Sequence, residues 1–167
     1  MRTVALVVFS LVFPYRAVAS GSTSQADATK TLERAILLAG PSIAGLPIVL
    51  APVPPDGASR GVEAWTLPLQ DNQAAQIVIY SGSGLFRCAS DPDRLDYHYQ
   101  CLLKLASTII HEAWHYRHGV NEAGAYEAQI AFLTFHGAAI AQIADARLSR
   151  DRVLAAQQAI QRSRVDR

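Results

Sequence analysis

The spacing of apolar positions changes twice along the chain. In "DATKTLERAILLAG" Leu32, Ala35, Ile36 and Ala39 recur at helical intervals, and Gly40 followed by Pro41 stops the run, so a helix is predicted up to that point. Beyond it, "LPIVLAP", "VEAWTLPL" and "AQIVIYSG" are short runs of β-forming residues separated by "PPDGASRG" and "QDNQ", which are turn chemistry. They predict a small sheet of three or four strands, with Pro47, Pro52 and Pro68 at strand ends or edges because proline cannot donate to a ladder. From Leu95 the period is helical again. "RLDYHYQCLLKLASTIIHEAWHYRHG" puts Leu95, Tyr99, Leu102, Ala106, Ile109 and Ala113 on one face, with Lys104, Thr108, His111, His115 and His118 as a polar stripe elsewhere on the cylinder. Gly119, just after Arg117 and His118, ends that helix, and Asn121 is placed to cap the next one, Glu122 to about His136. "AIAQIADARLSRDRVLAAQQAIQRSR" predicts one long helix or two. Helix, small sheet, then helices is an α+β order. Trp65, Trp114, Phe132 and Phe135 are expected in the core.

Composition narrows the function. The 167 residues are 50% hydrophobic and 17% charged with a formal net charge of +1, which fits one globular domain and excludes a basic nucleic-acid footprint. The N-terminal "MRTVALVVFSLVFPYRAVAS" combines Arg2, an apolar run from Val4 to Phe13, and small residues Ala17 and Ala19 in an A-x-A arrangement. This predicts a secretory signal peptide over residues 1–19, its apolar run of about 10 residues being too short for a span of roughly 20. Retention as an anchor is the alternative, since Pro14 and Arg16 disturb the region before the cut. Residues 20–29 are small and polar and read as a disordered lead-in, and residues 30–167 as a single domain. Cleavage removes Arg2 and Arg16 and no acid, leaving 13 basic and 14 acidic residues and no charge-driven attraction to membranes or nucleic acid. In a secreted or periplasmic setting, Cys88 and Cys101 favour a disulfide closing a loop of about 14 residues, worth about 3 kcal/mol. The competing reading is two reduced, buried thiols.

The chemistry concentrates in "STIIHEAWHYRHGVNEAGAYEAQ". His111 and His115 lie four apart on one helical face and can turn both imidazoles to one ion, while Glu112 beside the first can reach a water in the ion's open position. This is H-E-x-x-H, whose mechanics suit zinc: the metal lowers the pKa of its water towards about 7 and Glu112, as general base, takes the proton during attack on a polarised carbonyl. Two surface histidines without a metal are the bland alternative, but an unpaired glutamate in "TIIHEAWH" is costly to bury. The candidates for a third ligand are Glu122, Glu127 and His118. His118 lies one turn too far along the axis. Glu122 comes first after the turn, its face carrying Ala125, Tyr126 and Gln129. Glu127 is level with the histidines if the helices pair strictly antiparallel.

"HEAWH" followed by "NEAGAYEAQ" resembles the gluzincin branch of the zincin metallopeptidases, whose ligand glutamate heads an E-x-x-[A/S]-[D/Y] pattern that "EAGAY" fits. The resemblance covers roughly 20 residues. It implies a minimal zincin-like domain with His111, His115 and Glu122 as zinc ligands and Glu112 as general base. It also implies peptide or protein substrates aligned above the metal by an edge strand, for which "AQIVIYSG" is the candidate. The chain departs from the pattern in two ways. The spacer from His115 to Glu122 is shorter, closer to the metzincins, although Asn121 stands where those carry a histidine. Tyr126 replaces the aspartate that supports a ligand histidine, leaving Tyr126, Tyr116 and His98 as candidate helpers. The alternatives to a peptidase are a non-catalytic zinc-binding or protein-interaction domain keeping the helix pair, and a helical module without metal.

Overall fold

The computed structural model describes residues 25–56, 61–67, 75–91, 93 and 95–165, apart from the side chains of residues 95, 96, 164 and 165. The expected signal peptide lies outside the described residues. The architecture is α+β: α1 (Gln25–Ala39), a 3-10 turn (Gly40–Ile43), β1 (Ile48–Ala51), β2 (Ala64–Leu67), β3 (Gln76–Tyr80), α2 (Gly84–Ser90), α3 (Leu95–His118), α4 (Glu122–Phe135) and α5 (Ile140–Val165).

Helix α1 begins inside the stretch read as a disordered lead-in, so residues 25–29 correct that expectation. The helix extends backwards because Ala28 reaches the core and the Thr29 and Thr31 hydroxyls donate to the Gln25 and Asp27 carbonyls one turn earlier. At its other end Gly40 takes φ +75°, a conformation few other residues adopt, and Pro41 follows.

The three strands lie in the order β1-β3-β2, with β1 parallel and β2 antiparallel to β3. The expectation that "AQIVIYSG" is an edge strand is therefore wrong: β3 is the centre. Its continuous run Ile77, Val78, Ile79 is buried on both faces, which is how a central strand reads. The edge on the helical side is β2, which carries Thr66 and the exposed Leu67. Pro47 and Pro52 flank β1, as expected of strand ends, whereas Pro68 lies outside the described residues.

Helix α2 has no counterpart in the expected elements. Ser83 caps it by accepting from Phe86 N–H, Phe86 and Ala89 are buried, and the Cys88–Cys101 disulfide ties it to α3 with a Cα–Cα distance of 5.8 Å. Helix α3 is the spine. Leu102, Leu105, Ala106, Ile109 and Ala113 face α1, α2 and the sheet, while Leu103 joins Ile130, Leu133, Ala138 and Ala146 from the α4–α5 side. The expected apolar face starts at Leu102, since Tyr99 is half exposed.

The reversal after α3 positions everything that follows. Gly119 has φ +77°, Arg117 donates to the Ser42 carbonyl, and the Asn121 side chain accepts from Gly124 N–H to start α4. Ala125 is fully buried, and a Cβ placed on Gly124 would come within 2.4 Å of the Trp114 ring, so two small residues let α4 close on α3. Helix α5 is one helix, not two. Phe135, expected in the core, is 85% exposed: it is the last residue of α4, and its ring meets only that of His136 edge-on among the aromatic contacts of the described residues.

Candidate functional site

His111 and His115 project from the last turns of α3, and Glu122 is the first residue of α4. The His111 and His115 Nε2 atoms are 3.1 Å apart, and the Glu122 carboxylate straddles them with one oxygen 3.4 Å from the first and the other 3.3 Å from the second. Taking one donor atom from each residue, the set lies within 4.8 Å, and this group could hold a metal ion. Ligands at about 2.0–2.1 Å around a tetrahedral ion stand about 3.3–3.4 Å from one another, close to the spacing seen here.

The protonation pattern points the same way. A carbonyl only accepts, so the 2.8 Å contact between His115 Nδ1 and Gly119 O places a proton on Nδ1, and in the neutral ring Nε2 is then the bare nitrogen. The glycine that reverses the chain thus also sets the tautomer of His115. With one nitrogen bare, the 3.1 Å approach of the two Nε2 atoms requires a proton or a cation between them. His111 is driven to the neutral form: burial first, then its histidine neighbour, lower its pKa to about 4, with Glu122 and Gln129 opposing. A neutral imidazole is the form that binds metals.

Glu112 is buried at 9% exposure, and its Oε2 accepts a hydrogen bond from Thr66 Oγ1 at 2.8 Å. The same hydroxyl lies 3.1 Å from the Glu112 carbonyl, so one proton serves two acceptors. Burial pushes the Glu112 pKa up, against the Thr66 hydrogen bond and His115. Thr66 escapes the sequence reading because a threonine in "EAWTL" looks like any β-branched strand residue; only the packing of β2 on α3 discloses its partner.

Two cavities meet at Glu112. One, of about 310 Å³, is polar and runs past His111 to Glu63, Lys104, Tyr126, Asp145 and Ser149. The other, of about 600 Å³, lies beside His115 and Glu122 and is walled by Trp65, Tyr116 and Val120. The cleft therefore crosses the His–Glu group, with β2 along one side.

Of the other candidates, Glu127 is turned away and pairs with Arg150 at 2.8 Å. Among the described residues the group of potential ligands takes Glu122 and not Glu127. His118 stacks on Trp114 with ring centroids 4.4 Å apart and contacts the Trp114 carbonyl through Nδ1. His98 sits thirteen residues before His111 on the same helix, about 20 Å along its axis, too far to help. Tyr116 lines the apolar cavity. Tyr126 packs edge-on against His111 with centroids 4.6 Å apart and lines the polar cavity together with Ser149. The chain matches no protein-family model, no curated protein and no solved structure.

Proposed function

We propose that this chain is an exported zinc-dependent peptidase that hydrolyses peptide bonds. The observation that carries the reading is the convergence of His111, His115 and Glu122 within 4.8 Å, beside the buried carboxylate of Glu112. Two neutral nitrogens and one carboxylate, with room left for water, suit a catalytic rather than a closed structural zinc site. Zinc, when bound, supplies a Lewis acid that polarises the scissile carbonyl and acidifies water.

The chain's own groups do the rest. Glu112 accepts a proton from the attacking water and delivers it to the leaving amine. Thr66 holds Oε2 of that carboxylate, leaving Oε1 for the proton transfer. Among the described residues the outer edge of β2 pairs with no strand, so an extended peptide can add there and lie across both cavities. Export rests on the N-terminal sequence and on the Cys88–Cys101 disulfide; among the described residues no helix is long and apolar enough to cross a membrane.

Zinc analysis and peptide turnover test the proposal together. The wild type is expected to bind one zinc per chain, His111→Ala/His115→Ala none, and Glu112→Gln to keep zinc while hydrolysis falls at least about 100-fold. Full zinc occupancy in the double variant removes the site. Zinc binding without turnover on diverse peptides leaves a non-catalytic metal-binding domain.

A further inference from the structure

His111 has a problem that His115 does not. Its Nδ1 is buried and lacks a hydrogen bond of good geometry, whereas Nδ1 of His115 donates to Gly119 O. A metal-ligating imidazole needs its second nitrogen tied to an acceptor, because that contact fixes the tautomer and the ring direction. Tyr126 packs edge-on against the His111 ring with centroids 4.6 Å apart and takes no hydrogen bond from that Nδ1.

Another side chain on α4 is in place. Gln129 lies two turns beyond Glu122, is only 4% exposed, and donates from Nε2 to Ser107 Oγ at 3.1 Å. Ser107 is one turn before His111 on α3 and fully buried. Its own hydroxyl proton goes to the Lys104 carbonyl at 2.7 Å, so its oxygen is free to accept from Gln129. That chain of donors settles the orientation of the amide: nitrogen towards Ser107, carbonyl oxygen on the opposite side. We infer that Gln129 is the positioning residue of His111, its Oε1 accepting from Nδ1–H once a metal occupies Nε2, with Ser107 holding the amide in that orientation.

The inference rests on the metal-site reading and not on peptidase activity. It also gives a reason for burying a polar amide between α3 and α4: a buried amide is hydrogen-bonded at both ends, and Ser107 satisfies only its nitrogen. Ser107, His111 and His115 then form one stripe of α3, each four residues apart, facing Gln129 and Glu122 on α4.

The test is zinc affinity, by competition with a chromophoric chelator, in the wild type, Gln129→Met and Gln129→Glu. Gln129→Met keeps the volume and removes the acceptor, and is expected to weaken zinc about 10–100-fold. Gln129→Glu, a stronger acceptor, is expected to keep wild-type affinity or better it. The second readout is the His111 Nδ1–H proton in zinc-loaded wild type by NMR, expected to exchange slowly with solvent. Equal affinity in wild type and Gln129→Met overturns the inference, as does a rapidly exchanging Nδ1–H in the wild type, which decides the matter even if the variants fold poorly. Failure of the wild type to bind zinc at all sinks instead the metal-site reading beneath it.

Discussion

The two ends of α3 carry similar residues and put them to different uses. At the N-terminal end Tyr97 and Tyr99 are exposed, His98 stands with no hydrogen bond to its buried Nδ1, and the tie to the rest of the protein is covalent, through Cys101 to Cys88 on α2. At the C-terminal end there is no covalent tie. Gly119 reverses the chain, Asn121 caps α4, Gly124 leaves room for Trp114, and an acid returns to face two histidines. Among the described residues, no comparable group of potential ligands forms around His98. A histidine on a helix becomes part of a donor set only when a second element brings an acid back to it. The turn decides this, and not the histidine.

The sharpest break in the comparison is to remove that acid. Glu122→Gln is expected to weaken zinc binding by more than about 100-fold, beyond the loss typical of residues that merely support a ligand. Glu127→Gln, five residues on and paired with Arg150, is expected to leave it unchanged. Zinc titrations of the two variants check the contrast. Loss of metal in Glu127→Gln with binding intact in Glu122→Gln would mean that the helices adopt the other register in solution.

At the opposite end the covalent tie can be cut. Cys88→Ser/Cys101→Ser is expected to cost about 2–3 kcal/mol of stability, as for a loop of this size. Zinc affinity of the folded variant should not change, because Cys101 lies ten residues, about 15 Å, along α3 from His111. Denaturant unfolding and zinc titration measure the two effects separately. A large drop in affinity would show that the disulfide, and not the Gly119–Asn121 turn, sets the position of the histidines.

How much of this was legible in the sequence follows the same division. The C-terminal end was readable because each step has a local signature: two histidines four apart, a glycine stop, an asparagine cap and a leading glutamate. The strands were readable as runs, but not their order. β3 is central because both of its edges are paired, and its continuous apolar run reports burial on both faces but not which strands flank it. Helix α2 was hidden in "SGSGLFRCAS", where Ser83 as a cap for a seven-residue helix gives too short a period to see. Phe135 looked like core by residue type, and only its place at the end of α4 leaves it in water. Thr66 acts through a contact 46 residues away in sequence, which no spacing rule reports.

Between the two ends of α3, its polar stripe runs beneath Glu63, the residue that precedes β2, and there the smallest effect is expected. Glu63 is largely buried beside the polar cavity, and its carboxylate receives a long hydrogen bond, 3.4 Å, from Thr108 Oγ1, a hydroxyl that also serves the Lys104 carbonyl. Lys104 itself pairs with Asp145 at 3.5 Å. Burial raises the Glu63 pKa above 4.5, opposed by Lys104 and Thr108, with Asp145 adding to the rise. A carboxyl whose folded pKa is raised contributes stability that is fully present below the unfolded value and is lost as pH rises through the folded one. At pH 7 the charged Glu63 is thus a cost, and Glu63→Gln should stabilise the metal-free protein. The gain is read as a rise in Tm, about 2–4 °C for each 1 kcal/mol in a domain of this size. The gain should shrink towards pH 4, as the wild-type carboxyl becomes protonated in both states. Thermal unfolding of wild type and variant from pH 4 to pH 8 tests it. A Tm lowered by the substitution at pH 7 would show that attraction to Lys104 outweighs burial, and that the polar stripe of α3 is tied to β2 as firmly as its two ends are tied to their partners.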